Sequence, residues 1–127
     1  MKISKILSLL DGECLTGKEY LDSEVEFGFG CDLMSDVLAF SKGKTILLTG
    51  LTNSQVIRTA EMLDINTIIF VRGKKPDGMV IEMAKNNCMT IISTGHELYS
   101  ACGILYNNGL KGASSLKEIF TYGKWQS

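Results

Sequence analysis

The stretch "TILLTGLTNSQVIRTAEMLDINTIIFVRG" at residues 45–73 decides the fold class of this chain. It holds two short apolar runs, each ending at a glycine, with a segment of helical periodicity between them. The unit continues, because "MTIISTG" at residues 89–95 is a third run of the same kind. Continuous apolar strands that alternate with helices indicate a parallel sheet covered on both faces. We therefore predict an α/β three-layer sandwich with a largely parallel sheet, built from three consecutive βα units.

The segments around these strands have their own periodicities. The helices expected after the three strands cover residues 55–63, 77–87 and 97–107. Nearer the N-terminus we expect a helix at 2–11, a brief strand "CLTG" that stops at Gly17, a half-buried strand at 25–29 and a helix with Asp32 as its N-cap.

Length and composition fit one folded domain over residues 1–127, with a core at about 25–110 and a tail at 111–127. The formal charge of -1 argues against nucleic-acid and anionic-membrane partners, which favour a basic face. The N-terminal apolar run is too short and broken for a secretion signal, and no run approaches the roughly 18–20 residues that span a bilayer. We expect a cytoplasmic protein.

The cysteines and histidine do not form a recognisable metal pattern. Cys14, Cys31, Cys88 and Cys102 contain no C-x-x-C pair, and the chain has one histidine. We expect reduced, mostly buried thiols, no metal and no cofactor.

Two nucleotide-binding motifs fail on inspection. In "EFGFGCDLMSDVLAF" at residues 26–40, Gly28 and Gly30 suggest a dinucleotide loop, but the third glycine position is Leu33. In "GKT" at residues 43–45 the earlier glycine of a Walker loop is Leu38, and the tripeptide precedes a strand where the working loop follows one. The chain therefore shows no nucleotide hydrolase or kinase apparatus.

The fold itself points to a site, since ligands of open parallel sheets bind outside the carboxyl ends of the strands. Three loops follow those ends, and helix N-termini beyond them offer free N–H groups to an anion. The predicted ligand-binding residues are Thr49, Gly50, Thr52, Asn53, Ser54, Arg72, Gly73, Lys74, Lys75, Ser93, Thr94 and His96. Secondary candidates are Asp32 and Asp36, four residues apart on one predicted helical face.

A purely structural interpretation of the same residues stays open. Asn53, Ser54, Asp77 and Thr94 are ordinary N-cap types, and each glycine can simply supply a turn. His96 has no Ser–His–Asp or Cys–His spacing around it, so we predict no catalytic residue.

Residues 25–110 resemble a DRTGG domain, with "CDLMSDVLAF" and the run from "TGLTNS" through "IISTGHE" carrying the similarity. Gly50, Gly73, Pro76, Ser93 and Thr94 match the family pattern. The chain departs from it at the Asp-Arg pair, where it has Leu51-Thr52, and at the Thr-Gly-Gly, of which Gly73 remains.

The resemblance implies a regulatory domain without assigned catalysis, often a homodimer. Such domains lie between CBS domains in some pyrophosphatases and are similar to the N-terminal domain of HPr kinase/phosphorylase. Our hypothesis is a ligand-sensing module for a small anionic metabolite or nucleotide. The alternative is an accessory protein of a hydrogenase or other redox complex without a small-molecule ligand, since short stand-alone forms are encoded near iron hydrogenase subunits. A small enzyme using His96 ranks last.

The tail is the least defined part of the sequence. Leu116, Ile119 and Phe120 suggest one more amphipathic turn, and Trp125 either folds back on the body or meets a partner subunit. We expect Phe120 and Trp125 at an interface edge.

Overall fold

The computed structural model describes residues 1–40 and 44–113. The helices are α1 (Ile3–Leu9), α2 (Met34–Phe40), α3 (Ser54–Met62), α4 (Gly78–Asn86) and α5 (Leu98–Asn107). The strands are β1 (Glu13–Thr16), β2 (Phe27–Gly30), β3 (Thr45–Thr49), β4 (Thr67–Phe70), β5 (Thr90–Ser93) and β6 (Lys111–Gly112).

The six strands form one sheet in the order β1-β5-β4-β3-β2-β6. Strands β2, β3, β4 and β5 are parallel to one another, and β6 is parallel to β2. At the opposite edge, β1 is antiparallel to β5. Helices α2, α3 and α4 cover one face, and α1 and α5 cover the other. The predicted three-layer α/β sandwich with a largely parallel sheet is therefore confirmed.

The central strands are apolar along their whole length because both of their faces are covered. In β3, Leu47 packs under α2 and α3, whereas Ile46 and Leu48 point to the α1 and α5 side. All five residues of β3 and all four of β4 and β5 are buried. This alternation divides the core into two clusters, one on each face of the sheet.

Most predicted elements are present with ends shifted by one or two residues. β1 stops before Gly17, whose φ of 83° lies in the left-handed region. β6 was not predicted, because its two exposed residues carry no periodicity. The predictions for Leu116, Ile119, Phe120 and Trp125 lie outside the described residues.

The connections diverge between β4 and β5. Helix α4, after β4, packs on one face of the sheet, and α5, after β5, packs on the other. Adjacent strands whose connections leave to opposite faces open a crevice at their carboxyl ends. The loops at residues 71–77 and 94–97 meet there.

Candidate functional site

Asp32 joins the loop after β2 to the end of β3. Its Oδ1 accepts hydrogen bonds from the Gly50 N–H at 2.7 Å and from the Thr49 hydroxyl at 2.9 Å. The register explains the contact, since Gly30 pairs with Leu48 and two further residues bring Asp32 level with Gly50. Its carboxylate thereby fixes the first turn after β3.

The prediction that Asp32 caps α2 is wrong. The helix begins at Met34, two residues further on, and the carboxylate binds donors of the neighbouring strand end. Asp36 lies in the first turn of α2, so the two acids do not share a helical face as predicted. The sequence pattern favours the N–H groups of the following helix as partners of Asp32, because the register between β2 and β3 cannot be predicted from local spacing.

Two cations also converge on Gly50. The Lys74 Nζ donates to the Gly50 carbonyl at 3.2 Å. A Cβ built on Gly50 would lie 3.4 Å from Arg72 Nη2 and 3.5 Å from Asp32 Oδ2. The space above this buried glycine is therefore bounded by a guanidinium, an ammonium and a carboxylate.

Lys75 is directed elsewhere, although it belongs to the same basic loop. Its Nζ forms an ion pair with the Glu13 carboxylate of β1 at 2.9 Å. Both side chains are more than half exposed, and such surface pairs contribute little to stability.

The loops after β4 and β5 are hydrogen-bonded to each other. The Arg72 N–H donates to the His96 carbonyl at 2.8 Å, and the Gly73 N–H donates to the Thr94 carbonyl at 2.7 Å. Arg72 has a φ of 59°, unusual for a residue with a side chain, and Gly73 has 67°. The left-handed conformation of both residues directs their N–H groups to carbonyls of the loop after β5, so these two N–H groups already have acceptors within the chain.

The hydroxyls of Ser93 and Thr94 are engaged as well. Ser93 Oγ donates to the Lys74 carbonyl at 2.9 Å, and Thr94 Oγ1 donates to the Leu10 carbonyl of the α1 end at 2.7 Å. Both residues are buried. Their observed contacts tie the loops to the body, and a role in ligand binding stays a prediction.

The remaining predicted residues stand at helix starts. Asn53 is the N-cap of α3 but makes no side-chain capping bond, Ser54 is the first helical residue, and Thr52 precedes both. Asp77 caps α4 by accepting from the Val80 N–H at 3.0 Å. Asp77 is therefore confirmed as a cap.

Two other capping assignments are wrong. Ser54 lies inside α3, and the N-cap of α5 is Glu97, three residues beyond Thr94. Thr94 does not cap α5, because its hydroxyl donates to the Leu10 carbonyl and accepts a hydrogen bond from the His96 N–H at 3.3 Å.

A cleft of about 1010 Å³ opens along α5, beside β2 and β6. Of the predicted ligand-binding residues it contains His96, at its rim. Its walls include Leu48, Tyr99, Cys102, Ile104, Tyr106 and Leu110. Sequence reasoning missed this cleft, and the available signal was the pair of tyrosines seven residues apart on one helix.

Gly28 and Gly30 of β2 allow α5 and the following turn to approach the sheet. A Cβ on Gly30 would lie 2.5 Å from Cys102 Sγ, and one on Gly28 would lie 3.2 Å from Leu110 Cδ2. Burial at this contact raises the pKa of the Cys102 thiol. The two glycines that resemble a dinucleotide loop therefore serve close packing of β2 against α5 and Leu110.

A second cleft, of about 860 Å³, lies at the amino ends of the strands and is lined partly by Tyr20, Lys44, Asp64 and Cys88. The neighbouring Cys88 thiol raises the pKa of the Tyr20 hydroxyl. Within the described ranges, no cluster of three or more His, Cys, Asp or Glu side chains is arranged to hold a metal ion. None of the described helices has the length and apolarity needed to cross a bilayer.

The DRTGG domain family model matches residues 5–107. Among solved structures the chain is similar to the CBS and DRTGG domains of the regulatory region of Clostridium perfringens pyrophosphatase, complexed with the activator diadenosine tetraphosphate. The TM-score is 0.66 at 20% identity, over 82% of this chain and 45% of that chain. The chain therefore spans less than half of that structure. No curated protein matches the chain.

Proposed function

Because this chain belongs to the DRTGG domain family, we propose that it is a non-enzymatic regulatory module that senses a small anionic metabolite or a nucleotide. Ligand binds at the carboxyl ends of β3, β4 and β5. The observation that supports this proposal is the convergence of Arg72 and Lys74 on the backbone of Gly50. Both cations come from the loop next to the crevice between β4 and β5, where open parallel sheets bind ligands.

The charges above Gly50 favour a particular kind of anion. Arg72 and Lys74 attract a phosphate or carboxylate group, and a guanidinium can bind it with two hydrogen bonds. Asp32 repels a bare anion but accepts hydrogen bonds from hydroxyl or amino groups. A ligand that carries both an anionic group and donors, as a nucleotide does, satisfies all three side chains. The nucleotide activator bound by the similar pyrophosphatase region makes this class the first to test.

A thermal-shift panel of ATP, diadenosine tetraphosphate, AMP and inorganic pyrophosphate tests the proposal. A ligand present at 100 times its Kd adds about 2.7 kcal/mol to the free energy of unfolding, which raises the Tm by several degrees. We expect at least one nucleotide to do so, and pyrophosphate to do so less.

The paired variants are Arg72→Gln with Lys74→Gln and, as a matched control, Arg58→Gln with Lys85→Gln on exposed positions of α3 and α4. The first pair should lose the Tm shift and the control pair should keep it. Equal shifts in both pairs place the ligand elsewhere, and an absence of any shift contradicts the sensing function.

The sensing module would act as a homodimer or another homo-oligomer. The alternative is an accessory protein that docks on a hydrogenase or another redox complex and binds no small-molecule ligand. The observation in its favour is the exposed aromatic surface of α5, where Tyr99 is 86% and Tyr106 is 61% exposed. Tyrosines are enriched in protein interfaces. Under this alternative, changing Arg72 and Lys74 leaves partner binding intact, and changing Tyr99 and Tyr106 to serine abolishes it.

A further inference from the structure

Gly50, the buried residue after β3, is a glycine that its own backbone does not require. Its φ does not lie in the left-handed region, where a side chain would be strained. A Cβ built on it would meet Arg72 Nη2 at 3.4 Å, Asp32 Oδ2 at 3.5 Å and Asp32 Oδ1 at 3.6 Å, which are ordinary contact distances. Alanine would therefore fit at this position, so the bare Cα calls for an explanation other than the turn.

The two side chains nearest to this bare Cα carry opposite charges but are not joined to each other. Asp32 Oδ1 accepts from the Gly50 N–H and from the Thr49 hydroxyl. Within the described part of the chain, Asp32 forms no ion pair with Arg72 or Lys74, and its Oδ2 accepts no hydrogen bond. A guanidinium and a free carboxylate oxygen thus stand on either side of the place where a side chain of residue 50 would begin.

The two charges decide which chemical group suits this place. An oxygen of a phosphate or carboxylate accepts from Arg72 but is repelled by Asp32, and an ammonium group donates to Asp32 but is repelled by Arg72. An alcohol hydroxyl has one donor and two acceptor lone pairs, so it can donate to Asp32 and accept from Arg72 at once. The remaining N–H groups of Arg72, together with the Lys74 Nζ at 3.2 Å from the Gly50 carbonyl, are left for an anionic group.

We propose that Gly50 selects a ligand in which a sugar hydroxyl lies next to an anionic group, and that this hydroxyl rests on the bare Cα between Arg72 and Asp32. The inference rests on the proposed function, because it names the class of ligand that the carboxyl edge senses. Ribonucleotides and sugar phosphates share this chemistry. A carboxylate that accepts from a ribose hydroxyl also holds dinucleotides in other α/β folds. A Cβ at residue 50 would take the place of the hydroxyl.

Isothermal titration calorimetry with ATP, 2′-deoxy-ATP and 3′-deoxy-ATP tests the inference. We expect the wild-type chain to bind one of the deoxy nucleotides about tenfold or more weakly than ATP, because a hydrogen bond to a charged group is lost. Gly50→Ala should weaken ATP binding by about the same factor. It should bind that deoxy nucleotide with the wild-type Kd, since its methyl group fills the space that the missing hydroxyl leaves.

Gly95→Ala is the matched control in the loop after β5. Its φ is also outside the left-handed region, and its Cβ would have no described heavy atom within 4 Å, so it should keep every wild-type Kd. Thermal melting of the ligand-free chains separates folding from binding. Gly50→Ala should melt at or slightly above the wild-type Tm, because alanine at a compatible φ reduces the entropy of the unfolded chain.

Ribose 5-phosphate and 2-deoxyribose 5-phosphate form a second arm, which distinguishes the two sources of the hydroxyl. A preference for ribose 5-phosphate without a preference among the nucleotides supports the inference and assigns the hydroxyl to a free sugar phosphate. Both arms can be measured on the wild-type chain alone, so the inference can be decided even if Gly50→Ala is unstable.

The inference and the proposed function fail in different ways. If the wild-type chain binds the hydroxyl and deoxy forms equally in both arms, or if Gly50→Ala keeps the wild-type Kd for ATP, the inference is overturned and the sensing function stands. Binding of inorganic pyrophosphate without any of the sugar compounds has the same meaning. If none of these probes binds, the sensing function and the inference are both overturned.

Discussion

The carboxyl edge of the sheet and the α5 cleft are two candidate binding surfaces among the described residues, and they are built in opposite ways. At the edge, polar groups of three loops bind one another around Gly50, and two cations remain exposed. In the cleft, apolar side chains surround a volume that the described chain leaves open. The exposed cations of the edge suit a charged ligand, whereas the apolar lining of the cleft suits apolar groups.

The difference has consequences for stability. The polar edge is held together by buried donors that need their acceptors, so removing one acceptor leaves an unpaired group. The cleft is held by close packing of α5 on the two glycines of β2, so adding one carbon atom is harmful there. Substitutions at the two surfaces should therefore act through different causes.

The largest effect is expected from Asp32→Ala. It removes a charged acceptor from the buried Gly50 N–H and from the Thr49 hydroxyl, which should lower the free energy of unfolding by about 2–3 kcal/mol. Urea unfolding followed by circular dichroism measures it. Asp36→Ala is the control, and it should cost less than about 1 kcal/mol, because its charge acts through the helix dipole. Equal losses from the two changes would mean that Asp32 does not hold the edge.

A smaller effect is expected from Gly30→Ala at the wall of the cleft. The added Cβ would lie 2.5 Å from Cys102 Sγ, so α5 or the thiol must shift. The expected loss is about 1–2 kcal/mol, the lower part of the range for overpacking, since a thiol can rotate aside. Gly28→Ala meets the flexible end of Leu110 at 3.2 Å and should cost less in the same urea titration. The reverse order would contradict close packing at Gly30.

Local patterns were sufficient to predict the fold class. The apolar runs of β3, β4 and β5 and the helices between them follow from periodicity alone, because each strand is buried on both faces. The loops after these strands could also be named, since their position at one edge follows from the parallel arrangement. The same reasoning predicts Arg72 and Lys74 at this edge, where both side chains lie beside Gly50.

Long-range geometry explains what the sequence did not disclose. Asp32 meets Gly50 because of the β2–β3 register, and no local signal competes with its apparent role as a helix cap. The α5 cleft exists because β6 returns beside β2, far along the chain, through two residues without a pattern. Ser93 and Thr94 looked available for a ligand, but their hydroxyls bind carbonyls 19 and 84 residues away.

The smallest effect is expected in the pH dependence of the free energy of unfolding. It reports how far water is excluded from Cys102 in the wall of the cleft. Burial raises the pKa of the Cys102 thiol, so the folded state keeps its proton at a pH where the unfolded state loses it. Between pH 8 and 10 the unfolded chain therefore binds fewer protons at this residue, and the free energy of unfolding falls as pH rises through about 8.5, the usual thiol value. The free energy of unfolding of Cys102→Ala, measured by urea titration across this pH range, should therefore fall less steeply than that of the wild type. If the free energy of unfolding of Cys102→Ala depended on pH as steeply as that of the wild type, water would reach Cys102 freely. The cleft wall would then be as accessible to solvent as the carboxyl edge of the sheet.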